Sequence, residues 1–138
     1  MLLQKGLVAF GDKLPKVISP KTHAIMDYAT IGIWALIAAR AWGKNRTAAL
    51  GAVACAGAQL ATVLMTDFPG GVFDVMDFPT HGKVDMGLAA GATALPNLLG
   101  IDDTSEAKWF RILGMNITAE TAMTDFGSRR PVKEFKAA

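Results

Sequence analysis

Two histidines and a few aspartates are the residues whose types and spacing could do chemistry. His23 and His81 are the only histidines in the chain. Each is followed four residues later by an aspartate, Asp27 and Asp85, so each pair lies on one helical face, one turn apart. Asp67 and Asp125 sit in a second matched motif, Met-Thr-Asp-Phe at 65–68 and 123–126. Imidazole and carboxylate are borderline-to-hard ligands suited to Zn, Fe or Mn. The candidate ligands of a divalent metal ion are therefore His23, Asp27, Asp67, His81, Asp85 and Asp125. Two symmetric histidines could instead be axial ligands to a haem, a less favoured reading. A third chemistry is a proton or ion relay, which Glu120, one turn from Thr124, would extend inward. The structural alternative is a His–Asp clamp between helices, with Thr22 and Thr80 as N-caps and Asp67 and Asp125 as turn residues. At a helix C-terminus a carboxylate faces the negative end of the macrodipole, at a cost of about 0.3–1 kcal/mol. Asp67 and Asp125 hold that position, and the two histidines are their expected partners.

These motifs recur at one fixed offset. Thr22-His23 returns as Thr80-His81, Asp27 as Asp85, and Met65-Thr66-Asp67-Phe68 as Met123-Thr124-Asp125-Phe126, always 58 residues on. This is a tandem duplication. The chain divides into an N-terminal segment 1–19, a first helical hairpin repeat 20–77, a second 78–126, and a basic C-terminal tail 127–138. In the first repeat, residues 28–39 are uncharged, 40–46 form a polar turn, and 47–66 form a second uncharged stretch in which Gln59 is the one strongly polar residue. In the second, residues 86–101 are uncharged, with Pro96-Asn97 expected to bend or end the helix. Residues 102–108 make the matching turn. The fourth helix is expected over 109–125 and carries Arg111, Asn116 and Glu120. A hairpin arrangement with two-fold pseudo-symmetry brings both His/Asp sets to one level, facing each other.

Composition places these helices. Of 138 residues, 51% are hydrophobic and 19% charged, against about 45–50% and 25% in globular chains. Mean hydropathy is +0.31. Disorder is excluded. A net charge of +2 with scattered Lys and Arg excludes nucleic acid as a partner. The lone Cys55 allows no intrachain disulfide and no cysteine-ligated zinc. Residues 47–66 are long enough to cross about 30 Å of hydrocarbon. Small residues crowd the helices, as membrane packing favours. The expected fold is all-α: an integral membrane four-helix bundle of two duplicated hairpins, preceded by an amphipathic N-terminal segment. Its partner is the lipid bilayer, with a homo-oligomer or membrane partner protein as a further expectation. Nine Lys and Arg fall on the side of the termini and central loop and five on the side of the short turns. The positive-inside rule then gives a multi-pass protein of the inner (plasma) membrane with both termini cytoplasmic.

No reaction is named by these residues. There is no GxSxG, GxGxxG or GxxxxGK[ST] motif, so neither a serine nucleophile nor a phosphate loop is present. The pattern Thr22-His23, Asp27-Tyr28, Thr66-Asp67-Phe68-Pro69, Gly71, Phe78-Pro79, His81-Gly82, Asp85 and Thr124-Asp125 resembles a group of small uncharacterised bacterial four-helix membrane proteins. Residues 94–100 are similar to the corresponding segment of SPW-repeat proteins, without the S-P-W tripeptide itself. The resemblance covers most of 20–126. It implies an integral membrane protein of duplicated helical hairpins and brings no activity with it. Three functions stand open: a membrane protein binding a metal cation or relaying protons or ions, a non-catalytic membrane scaffold or accessory subunit, and a soluble or peripheral helical bundle with a metal site.

Overall fold

A computed structural model gives the fold, and residues 13–127 are described. They form four helices: α1 (Pro20–Ala41), α2 (Arg46–Leu64), α3 (Phe78–Leu98) and α4 (Ala107–Met123). The amphipathic segment expected over 1–19 lies largely outside the described residues, as does the tail beyond 127.

The helix starts lie three residues earlier than the threonines suggest. Ser19 caps α1 by accepting from Thr22 N–H, and Asp77 caps α3 by accepting from Thr80 N–H. A proline follows in the first turn of each helix. Its fixed φ favours a helix start and its missing N–H costs nothing there. The Thr80 side chain and backbone N–H hold the exposed Asp77 carboxyl below its ordinary value. Thr22 and Thr80 are thus the residues being capped, and the histidines already belong to the first turns. Asn45 caps α2 through Ala48 N–H. Pro96 lies in the last turn of α3, which continues to Leu98. Gly100, at φ 66°, closes it. Ile101 N–H donates to Pro96 O and Gly100 N–H to Asn97 O, the paired bonds of a Schellman ending.

The helices pack as two hairpins, α1 on α2 and α3 on α4, with a lighter α2–α3 contact and little between α1 and α4. The 58-residue offset holds in the backbone. Ile18, ahead of α1, bridges to Thr124 beyond α4, and Met76, ahead of α3, bridges to Thr66 beyond α2. Asp125 N–H donates to Ile18 O and Asp67 N–H to Met76 O. Both bridges join one hairpin to the other, at the same end of the bundle.

At the far end Trp34 packs on Phe110 (centroids 5.2 Å apart) among Ala38, Ala48, Ala52 and Ala92. Trp34 and Ala92 occupy equivalent repeat positions, so large faces small. At the near end Ala24, Val63, Phe68 and Phe78 form a second apolar cluster. Gly114 marks the closest approach of α3 and α4: a Cβ there would overlap Thr93 Oγ1 and crowd the Ala89 carbonyl.

Two of the four helices, α1 and α2, are long and apolar enough to cross a membrane. Only 33% and 39% of their membrane-length windows are buried. Helix α3 carries Lys83 and Asp85, and α4 has only 17 residues.

Candidate metal centre

His23 and Asp27 stand on α1, His81 and Asp85 on α3, and all four are at most 1% exposed. The histidines lie in the first turns and the aspartates one turn further on, at the end where the two hairpins are bridged.

The imidazole orientations are fixed from behind. His23 Nδ1 lies 2.8 Å from Thr124 Oγ1, and His81 Nδ1 lies 2.8 Å from Thr66 Oγ1. Each threonine hydroxyl donates its proton one turn back, Thr66 to Thr62 O and Thr124 to Glu120 O. The hydroxyl oxygen is left to accept, so Nδ1 of each histidine carries the hydrogen. In the neutral ring that leaves an Nε2 lone pair facing inward. This is the outer-shell support that metal-ligating histidines require.

The inward atoms make a compact polyhedron. The two Nε2 atoms are 3.2 Å apart. His23 Nε2 is 3.4 Å from Asp27 Oδ2 and 3.1 Å from Asp85 Oδ2, and His81 Nε2 is 3.2 and 3.0 Å from the same oxygens. These are five of the six distances among the four atoms, which all lie within 4.8 Å of one another. Two imidazole nitrogens and two carboxylate oxygens this close together are a donor set that zinc accepts. Two lone pairs aimed at each other at 3.2 Å, with a carboxylate against each, repel unless a cation or a proton lies between them. A divalent ion cancels the two aspartate charges, which are otherwise costly to bury.

The surroundings are apolar on one side and polar on the other. Phe78 meets the His23 ring at 5.3 Å, Phe126 meets it at 5.7 Å, and Phe68 meets His81 at 4.9 Å. They exclude water and lower the local dielectric. Toward the middle of the bundle, Gln59 Nε2 donates to Asp27 Oδ1 at 3.0 Å. Buried Glu120 places Oε1 3.6 Å from His23 Nδ1. Among the described residues, the buried side-chain polar atoms without a hydrogen-bond partner belong to Asp27, Asp85, Gln59, Glu120 and Thr121. Asp27, Asp85, Gln59 and Glu120 lie in or beside the cluster, a concentration that points to an unseen ion or water.

Of the six expected ligands, the structure gathers His23, Asp27, His81 and Asp85 within 4.8 Å of one another. It does not bring Asp67 or Asp125 into that group. Asp67 is exposed and Asp125 half-buried, and Asp125 Oδ1 accepts from Gly127 N–H. The histidines pair with the threonine preceding each aspartate, because the chain leaves the helix there and turns the next side chain away. Axial haem ligands sit on opposite faces of a macrocycle. Two nitrogens 3.2 Å apart, each against a carboxylate, leave no room for one. Gln59 was legible only as the lone strongly polar residue of an apolar stretch. The Thr66/Thr124 role was legible only as the repeat of Met-Thr-Asp-Phe.

The fold and site define an all-α four-helix bundle closed around a buried His₂Asp₂ cluster. Comparison with protein-family models, curated proteins and solved structures finds no match to this chain.

Proposed function

We propose that this chain is a small multi-pass membrane protein whose two hairpins close around one divalent cation of the zinc class, with His23, Asp27, His81 and Asp85 as ligands. The observation that carries the reading is the buried set of two imidazole nitrogens and two carboxylate oxygens within 4.8 Å of one another, with both imidazoles pinned through Nδ1. The set is closed: four protein ligands leave no position for water or substrate, as in structural rather than catalytic zinc sites. The ion then acts as a staple between repeats whose helices pack on each other more lightly than within each hairpin.

The bilayer reading is supported by helices that are apolar all round yet mostly unburied. Ile25, Ile33, Leu36, Leu50, Val53 and Met86 are all exposed. The core helix of a soluble protein hides such residues. The Lys/Arg bias supports a topology with both termini on the cytoplasmic side.

Elemental analysis of the full chain, purified from the membrane fraction in detergent, tests the site. The expected result is about one zinc per chain, lost in His23→Ala/His81→Ala. A metal-free, folded wild-type protein overturns the metal reading and leaves the cluster as a proton-bearing clamp. Recovery of the protein in the supernatant of a detergent-free lysate overturns the membrane reading.

A further inference from the structure

At the end of the bundle remote from the histidines, α1 and α4 separate, and a cleft of about 580 Å³ opens between them. Its wall is apolar: Ile33 and Leu36 from α1 and Trp109 from α4 line it, and all three are exposed. Its rim is cationic: Arg40 ends α1, Lys44 lies in the following turn, and Lys108 opens α4. Arg40 and Lys44 have no ion-pair or hydrogen-bond partner among the described residues, and Lys108 Nζ stands 5.2 Å over the Trp109 ring. One carboxylate, Glu106, shares the lining, and it accepts from Asn45 Nδ2. The cleft therefore presents a net charge of +2.

We infer that this cleft holds one anionic phospholipid, its phosphate among Arg40, Lys44 and Lys108 and an acyl chain along Ile33, Leu36 and Trp109. The proposal rests on the membrane placement above and is independent of the metal. Polarity runs the right way for a lipid. From Ile33 to Arg40 the helix rises about 10 Å, so the cations stand at the turn end and the apolar wall runs toward the middle of the bundle. A free anion has no use for that wall. A zwitterionic lipid adds a cation to an already cationic rim.

The test uses the full chain with Trp42→Phe, reconstituted in phosphatidylcholine vesicles. A small fraction of acyl-brominated phosphatidylglycerol or phosphatidylcholine is added as a tryptophan quencher. Quenching at Trp109 is taken as the difference from the Trp109→Phe variant. Brominated phosphatidylglycerol should quench at a mole fraction about tenfold lower than brominated phosphatidylcholine. Lys44→Gln should weaken that preference about fivefold, and inorganic phosphate should not relieve it. Equal quenching by the two lipids overturns the site, and relief by phosphate assigns it to a free anion and overturns the lipid. Flotation of the same vesicles separates the two failures. If the chain does not float, the membrane reading falls and this one with it. If it floats without lipid preference, only this one falls.

Discussion

Replacing Thr66 or Thr124 by valine tests the centre without touching a ligand. The swap keeps side-chain shape and deletes one oxygen. In Thr66→Val, His81 Nδ1–H loses its acceptor at 2.8 Å. An orphaned buried donor costs about 1–3 kcal/mol, and loss of an outer-shell partner lowers metal affinity about 10–100-fold, equivalent to about 1.4–2.8 kcal/mol. Thr124→Val removes the same bond from His23, but there Glu120 Oε1 waits 3.6 Å from the same nitrogen. A small side-chain shift lets it accept, so the loss should stay near or below about tenfold. The repeat position equivalent to Glu120 is Thr62, and His81 has no such substitute. The expected order is therefore wild type, then Thr124→Val, then Thr66→Val, in zinc affinity. Competition against a chromogenic chelator, on detergent-purified protein stripped of metal, reads it directly. If both variants bind zinc as wild type does while melting lower, the threonines only hold helix ends together and the pinned-imidazole argument is wrong. If Thr124→Val is the weaker binder, the role given to Glu120 is wrong.

Other outcomes follow from the same geometry. Saturating zinc at 1,000 times its Kd should stabilise the stripped protein by about 4 kcal/mol, read as a thermal shift reversed by chelator; no shift removes the staple. Imidazoles and carboxylates must lose protons to ligate, so this stabilisation should be present at neutral pH and fade as pH falls, with the metal-loaded and stripped melting curves converging in acid. Curves that stay parallel contradict it. Gln59→Leu removes the donor to Asp27 Oδ1 and should cost about tenfold in zinc affinity, whereas an unchanged value makes Gln59 a packing residue. Gly114→Ala drives a Cβ into Thr93 and the Ala89 carbonyl and should destabilise by about 1–3 kcal/mol. Gly57→Ala meets open space and should be neutral or gain up to about 1 kcal/mol from helix propensity. Equal melting temperatures would refute the close α3–α4 approach.

What the sequence disclosed, and what it hid, both trace to the motifs matched at a 58-residue offset. A 58-residue offset carries pairing information, because positions related by a two-fold axis meet near that axis. His23 and His81 could be placed together on that ground alone, and so could Asp27 and Asp85. The same logic offered Asp67 and Asp125, which also recur but lie outside the four-residue group. Recurrence marks a position as shared by both halves without saying which way its side chain points, and here the inward-facing neighbours are Thr66 and Thr124. Symmetry conceals whatever is unmatched. Gln59 corresponds to Ile117 and Glu120 to Thr62, so a search for repeated residues passes over the two that make the halves differ around the cluster. The same blindness covers the cleft, which depends on how far α1 and α4 stand apart and not on any repeated motif. The division has a physical sense. The four inward atoms and the two threonine pins are matched across the repeat, as a single ion at the pseudo-two-fold axis requires of both halves. Gln59, Glu120 and the Trp34/Ala92 exchange are free to diverge, because each serves one side of the axis only. If the cluster were merely a hydrogen-bonded clamp, nothing would require the two sides to present the same atoms at the same distances. One histidine could then be replaced by any donor that fits, and His81→Gln should fold and melt like wild type. A staple of the proposed kind loses its ion in that variant, and the zinc-dependent thermal shift with it.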